Sequence, residues 1–240
     1  MAQIDLKNAI IRLKDGYGRS HGGSVNNAGG YNSSQTRMNT TFSANKAVEV
    51  GDIFTIGANT TEYTVTAHNE TSGSTINLDF TPQLGRSVSD DDEITVLPHR
   101  LTVKIGEGNL TWSEKKPRQY YKDRGRLDTV RDGDEEPVDV KMDATWEFLK
   151  ASTGDTPTVE DVLKQRGEAS DWVTSAEDPC EPYAVNIEVE YIPPCAGTQK
   201  EIITLGDFRY ETFDHDLRAG QLSMSGKCNV TEATVVRQDQ

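Results

Sequence analysis

The chain has 240 residues, of which 34% are hydrophobic, and it carries a formal net charge of −14. This length suits one large domain or two small ones. The low apolar fraction fits β-sheets that expose one face to water. An acidic surface repels nucleic acid, and no long run of lysine or arginine overrides it. The sequence therefore argues against specific DNA binding.

Other classes are also disfavoured by what the chain contains. The opening Met1–Lys14 is too polar for a signal peptide, and no apolar run reaches transmembrane length. Three widely spaced cysteines (Cys180, Cys195 and Cys228) argue against a disulfide framework, and no CxxC or nearby histidine suggests zinc. We expect buried free thiols, with a Cys180–Cys195 disulfide as the alternative.

The first part of the chain predicts one strand, an arm and an inserted domain. Ile4 and Leu6, then Ile11 and Leu13, alternate with a phase slip that a β-bulge would cause. Residues 15–43 are rich in Gly, Asn and Ser, which predicts a flexible arm or long loop. Residues 44–98 predict a small inserted all-β domain, with strands over Val48–Ile56, Glu62–Ala67, Thr75–Phe80 and Ile94–Leu97. The main domain would then comprise residues 1–43 and 99–240.

The main domain shows long period-2 alternation of apolar and polar residues. The clearest runs are Val138–Phe148, Val185–Tyr191 and Leu222–Val230, which are typical of half-buried antiparallel strands. Residues 101–105 and 110–112 alternate too, and the turn at 106–109 predicts that they form a hairpin. The predicted fold is mainly β, an antiparallel sandwich or barrel.

One short flanking α-helix is predicted after the longest alternating run. Thr156 would cap the helix, Pro157 would occupy its first turn and Gly167 would end it. Its apolar stripe is Val159, Val162 and Leu163. The charged, turn-rich segment Pro117–Pro137 that precedes the long run is predicted to be a functional loop.

Catalytic and metal-binding constellations find little support. In Asp214-His215-Asp216 the histidine falls on the opposite strand face from both aspartates, which favours a turn or strand-end role. The run Asp90–Glu93 lacks the spacing of a calcium loop and reads as a solvated turn. No Gly-x-Ser-x-Gly motif occurs. We therefore expect neither an enzyme nor a cofactor.

Three stretches of the sequence resemble the tail tube proteins (major tail proteins) of long-tailed, non-contractile bacteriophages. They are the opening MAQIDLKNAIIRLKDG, residues 101–149 and residues 205–233. The runs IGEGNLTW, LDTVRDGDEEPVDV and DHDLRAG carry the similarity most specifically. Residues 44–98 are similar to small β modules of phage structural proteins.

The resemblance implies a structural virion protein in the phage tail. Six subunits would form a ring whose sheets join into an inner barrel, and rings would stack into a hollow tube. A long loop of each subunit would reach the next ring, and DNA would pass an acidic wall without specific binding. The implied partners are further copies and the tape measure, terminator and distal tail proteins, with no membrane.

Two sets of residues are candidates for these roles. The polar faces of the two best strands carry five acidic residues against Lys141, which predicts the lumen wall; the alternative is an ordinary solvated sheet face. The acidic set is Asp139, Asp143, Glu147, Glu188 and Glu190. In the predicted stacking loop, acidic residues would pair with basic residues of a neighbouring subunit. That loop set is Lys115, Lys116, Arg118, Arg131, Asp132, Asp134, Glu135 and Glu136.

Other functions compete with a tube subunit. A head–tail connector or tail terminator would form a single ring without stacking. A carbohydrate-binding β-sandwich would be a monomer with an exposed aromatic platform, yet aromatic residues make up only 7% of the chain. A hydrolase on a β scaffold is disfavoured because no catalytic set is recognisable.

Overall fold

A computed structural model describes residues 8–42, 48–72, 75–106, 108–146, 157–193 and 199–239. It is mainly β, with 52% strand and 6% helix, which confirms the predicted antiparallel fold with one short α-helix. The chain divides into two compact units, here called the sheet unit (Met1–Lys14 and Arg100–Gln240) and the barrel unit (Asp15–His99).

Sixteen strands and one α-helix make up these units in the described part of the chain. In chain order they are β1 (Ala9–Lys14), β2 (Gly22–Val25), β3 (Arg37–Phe42), β4 (Ile53–Ile56), β5 (Tyr63–Ser72), β6 (Thr75–Thr81), β7 (Glu93–Val96), β8 (Arg100–Val103), β9 (Leu110–Ser113), β10 (Arg118–Asp123), β11 (Arg126–Asp132), β12 (Val138–Thr145), α1 (Val159–Lys164), β13 (Val185–Tyr191), β14 (Gln199–Asp216), β15 (Gln221–Cys228) and β16 (Thr234–Asp239).

The sheet unit is built on an eight-stranded antiparallel sheet. Its order is β8-β1-β13-β14-β15-β12-β9, and β16 pairs with the first half of β14. The alternation in β12 and β13 places Val140, Met142, Ile187 and their apolar neighbours in one core, as period 2 requires. The predicted strand Val138–Phe148 ends at Thr145, and residues 147–156 lie outside the described residues.

Helix α1 packs its predicted apolar stripe into the same core. Val162 is fully buried, and Val159 and Leu163 are nearly so. The helix is capped by Thr158, whose hydroxyl accepts from the backbone N–H of Asp161 in a capping box. The predicted cap Thr156 lies outside the described residues, and Gln165 in left-handed conformation ends the helix before Gly167.

The barrel unit is a closed six-stranded barrel of order β2-β3-β6-β5-β4-β7. Three of its largest core side chains, Phe54, Tyr63 and Phe80, pack with ring centroids 5.5–5.7 Å apart. Backbone pairing of β7 with β2 closes the barrel.

The prediction that residues 15–43 form a flexible arm of the main domain is wrong. The described part of this segment supplies β2 and β3 to the barrel, which therefore begins at Asp15 and not at residue 44. Gly23 shows why a segment rich in small residues forms a strand here. A Cβ at this position would lie 2.6 Å from the carbonyl oxygen of Thr41. Glycine lets the two strands approach closely.

Two further predictions about the main domain are wrong. Residues 101–105 and 110–112 do not pair with each other; β8 pairs with β1, and β9 pairs with β12. The segment Pro117–Pro137 is not an irregular loop, since it contains the antiparallel pair β10 and β11. Among the described residues, no helix is long and apolar enough to cross a membrane.

Candidate assembly surfaces

The β10–β11 pair forms a hairpin (residues 118–132) that is separate from the eight-stranded sheet. Its turn is Arg124-Gly125, with φ of 47° and 81°, so both residues have the positive φ of a two-residue type I′ turn. Tyr120 and Tyr121 in β10 and Val130 in β11 favour extended backbone. Such residues on both sides of a two-residue turn are a hairpin signal, which the loop prediction for Pro117–Pro137 did not use.

One face of the hairpin exposes three large apolar side chains beside Lys122. The register pairs Tyr120 with Val130 and Lys122 with Leu127, which places these side chains on the same side. Tyr120 is 61% exposed, Val130 54% and Leu127 69%. We call Tyr120, Leu127 and Val130 the apolar hairpin face.

The opposite face of the hairpin is occupied by contacts of its own residues. The Tyr121 hydroxyl donates to Oε1 of Gln119 at 2.9 Å. The Arg131 guanidinium lies over the Tyr121 ring, 5.4 Å from its centroid. The two faces therefore differ, because aromatic surface is covered by a neighbour on one face and left open on the other.

The base of the hairpin is held by ion pairs within the chain. Nζ of Lys115 lies 2.6 Å from Oδ2 of Asp139 and 3.6 Å from Oε2 of Glu136. Arg118 pairs with Asp132 across the first rung. The residues of the Lys115–Glu136 and Arg118–Asp132 pairs were predicted to pair across two subunits, whereas Asp139 was predicted for the lumen wall. The geometry thus gives them a local role, fixing the root of the hairpin.

The remaining residues of the predicted loop line a cavity at this base. The cavity has a volume of about 450 Å³, and Lys116, Asp134 and Glu135 are among its lining residues. Its walls are mostly polar or charged.

The predicted acidic wall lies on one face of the sheet unit. Asp139 and Asp143 of β12, and Glu188 and Glu190 of β13, alternate with the buried core residues of their strands, so all four lie opposite the core. Glu147, the fifth member, lies outside the described residues.

Basic side chains compensate much of this acidic charge. Arg12 lies 3.3 Å from Glu188 and 2.6 Å from Glu190, and Lys200 lies 3.1 Å from Glu190. Lys14 also pairs with Glu188. Burial would raise the pKa of Glu190, but hydrogen bonds from Arg12 and Lys200 outweigh it and hold that pKa below its ordinary value.

The two acidic residues that β12 contributes to this face also have hydrogen-bond partners. Asp143 accepts a 2.7 Å hydrogen bond from the Ser223 hydroxyl, and the pKa of Asp139 is lowered by its hydrogen bond from Lys115. The sequence reading counted acidic residues on two strands and missed the bases, because they belong to strands that are distant in sequence. We call these four acidic residues and their basic partners the ion-pair lattice. Its excess negative charge is far smaller than the number of acidic residues alone suggests.

The His215 segment has the strand-end placement that its spacing predicts. Asp216 closes the β14–β15 turn, where its Oδ1 accepts from the N–H groups of Arg218 and Ala219 at 2.9 and 3.0 Å. His215 lies 3.5 Å from Glu160 of α1. The described residues contain no group of three or more His, Cys, Asp or Glu side chains placed to hold a metal.

The cysteines differ from one another in exposure. Cys228 is buried, and burial raises the pKa of its thiol to about 12, which makes it unreactive. Cys180 is exposed, so the expectation of buried thiols is wrong for this residue. Cys195 lies outside the described residues.

Comparison with known proteins gives no match among family models, curated proteins or solved structures.

Proposed function

We propose that this chain is a structural subunit of a phage tail tube, in which copies assemble into rings and the rings stack. The observation that carries the proposal is the projecting hairpin with its apolar face. A two-stranded hairpin outside a larger sheet is only marginally stable in water. Exposed tyrosine, leucine and valine on one side of such a hairpin mark it as a contact surface.

Charge supports a further copy of the same chain as the partner. The hairpin carries five basic and three acidic residues, a net charge of +2, on a chain whose net charge is −14. A positively charged element on an acidic protein is complementary to the rest of that protein's surface. The contact would be heterologous, which allows rings or stacks to grow.

The sheet unit supplies a second means of association. β8 and β9 stand at the two ends of its strand order. Antiparallel pairing of such edges between copies would bury their unpaired backbone groups. In this arrangement the ion-pair lattice is a candidate for the wall of the bore. DNA would then pass a surface on which most acidic groups already have basic partners.

The proposal is tested by negative-stain electron microscopy across a concentration series. We expect hollow tubes from the wild-type protein and none from the triple variant Tyr120→Ser, Leu127→Ser, Val130→Ser. The matched control is Leu217→Ser, which removes a leucine that is 84% exposed at the β14–β15 turn. This control should still form tubes.

The outcomes separate the parts of the proposal. A wild-type protein that stays dispersed at high concentration would overturn tube formation. Tubes from the triple variant would show that the hairpin face is not the stacking contact. Circular dichroism of each variant establishes that the β fold is retained, so that lost assembly is not confused with misfolding.

A further inference from the structure

The two ends of the barrel unit meet at a cluster around His99, whose side chain is 26% exposed. The backbone N–H of His99 and its Nδ1 each lie 2.8 Å from a carboxylate oxygen of Asp15, and the backbone N–H of Asp15 donates to the carbonyl of His99 at 3.2 Å. The first and last residues of the unit are thus joined by three contacts. The Asp15 side chain is completely buried.

The same imidazole faces a second buried carboxylate. Its Nε2 lies 3.9 Å from Oδ1 of Asp52, whose side chain is 6% exposed. The other oxygen of Asp52 accepts from the Tyr17 hydroxyl at 3.0 Å and from the backbone N–H of Glu49 at 2.8 Å. Asp52 is therefore fixed in place, with one oxygen directed at His99.

This geometry selects one protonation state of the ring. A neutral imidazole has one N–H, so one of its two nitrogens would present a lone pair to a carboxylate. The imidazolium has an N–H on both nitrogens and a positive charge between the two anions. It satisfies Asp15 by a hydrogen bond and Asp52 by an ion pair.

Tyr17 lies beside His99 and donates to the same carboxylate, Asp52. The ring of Tyr17 lies 4.3 Å from the His99 ring and is stacked on His21 at 4.0 Å. Burial and the Asp52 carboxylate raise the pKa of Tyr17 well above its ordinary value, so its hydroxyl remains a donor. The groups around His99 include two carboxylates and a neutral phenol, and Glu49 and His21 lie close to that phenol.

We propose that Asp15, Asp52 and His99 form a pH-sensitive clasp that closes the neck of the barrel unit while His99 is protonated. Raising the pH removes the ring proton and leaves a nitrogen lone pair facing a buried carboxylate. The ion pair with Asp52 is then lost, while Nδ1–H still donates to Asp15, so the segments that follow Asp15 and precede His99 are held less firmly. Protection of the backbone amides from hydrogen exchange is therefore greatest at low pH and falls as His99 loses its proton.

The clasp is tested on the full chain by hydrogen exchange with mass spectrometry between pH 5.5 and 8.5. Rates are corrected for the intrinsic pH dependence of exchange. In the wild type, peptides that cover Asp15–Val25 and Ile94–His99 should lose protection by about fivefold as pH rises, the size expected for loss of one partly exposed ion pair. His99→Gln should exchange fast at every pH. The matched control His68→Gln, in β5, should follow the wild type.

A conservative second variant keeps the test decisive if His99→Gln destabilises the barrel. Asp15→Asn retains a side-chain oxygen for the backbone N–H of His99 but removes the charge. We expect it to flatten the pH dependence while most of the barrel stays protected. The clasp would be overturned if His99→Gln or Asp15→Asn showed the same pH profile of exchange as the wild type. The readout does not depend on tube assembly.

Discussion

The barrel unit and the sheet unit treat their strand edges in opposite ways. The barrel closes by pairing β7 with β2, whereas the sheet unit ends at β8 and β9 and carries a hairpin with exposed apolar side chains on one face. Closure removes the means by which sheets associate, and open edges retain it. Under the proposed function, the sheet unit would therefore carry the contacts between copies, and the barrel unit would be the self-contained part.

The largest expected effect comes from emptying the barrel core. Phe54 is fully buried against Tyr63 and Phe80, and Phe54→Ala should destabilise the barrel by about 3–5 kcal/mol. Peptides of the barrel should exchange hydrogen faster, and those of β12 and β13 should not. Leu205→Ala, in the core of the sheet unit, should give the reverse pattern. If either variant exposes both units together, the two are a single cooperative body.

A smaller effect is expected from a glycine of the sheet unit. A Cβ on Gly226 would collide with the carbonyl oxygen of Arg209 and lie 2.7 Å from Cα of Tyr210, where β14 is bulged against β15. Gly226→Ala should therefore destabilise the sheet unit by about 1–3 kcal/mol, as overpacking does. Denaturant unfolding measures this change.

The matched control for that change is Gly29→Ala in the barrel unit. There the nearest atom to a Cβ is Oδ1 of Asn27 at 3.7 Å, an ordinary contact. This variant should unfold at the wild-type denaturant concentration. An equal loss of stability in both glycine variants would mean that the bulge has no special need for glycine.

The smallest effect concerns acid stability of the ion-pair lattice. Because the folded pKa of Glu190 is lowered, its contribution to stability is present above its unfolded pKa of about 4.3 and is lost as pH falls through the folded value. Glu190→Gln should cost about 1 kcal/mol or less at neutral pH and nothing in strong acid. Unfolding midpoints between pH 3 and 7 test this. Glu177→Gln, an exposed control, should leave the profile unchanged.

The parts of the fold that follow from sequence are those in which one face of an element is buried. The alternation of β13 predicts its bounds, and the stripe of α1 predicts which of its residues enter the core. Alternation cannot tell which strands pair, so the hairpin predicted at residues 106–109 is wrong. Its two strands find their partners in β1 and β12, far along the chain.

The candidate surfaces were harder to predict for a related reason. The strands β10 and β11 bury neither face, so they show no apolar–polar alternation, and only their Arg124-Gly125 turn marks them. The charge of the sheet face was misjudged because Arg12 and Lys200 come to Glu190 from separate strands. The clasp joins Asp15 and His99, 84 positions apart, and no local pattern indicates it.

The chain enters and leaves the barrel unit at neighbouring positions of two paired strands. Lys14 and Arg100, the residues on either side of the barrel, are direct antiparallel partners in β1 and β8, about 5 Å apart at Cα. A tight two-residue turn would bridge them equally well. Replacement of the barrel unit by such a turn, or by another module with adjacent ends, should therefore leave the pairing of β1 with β8 unchanged.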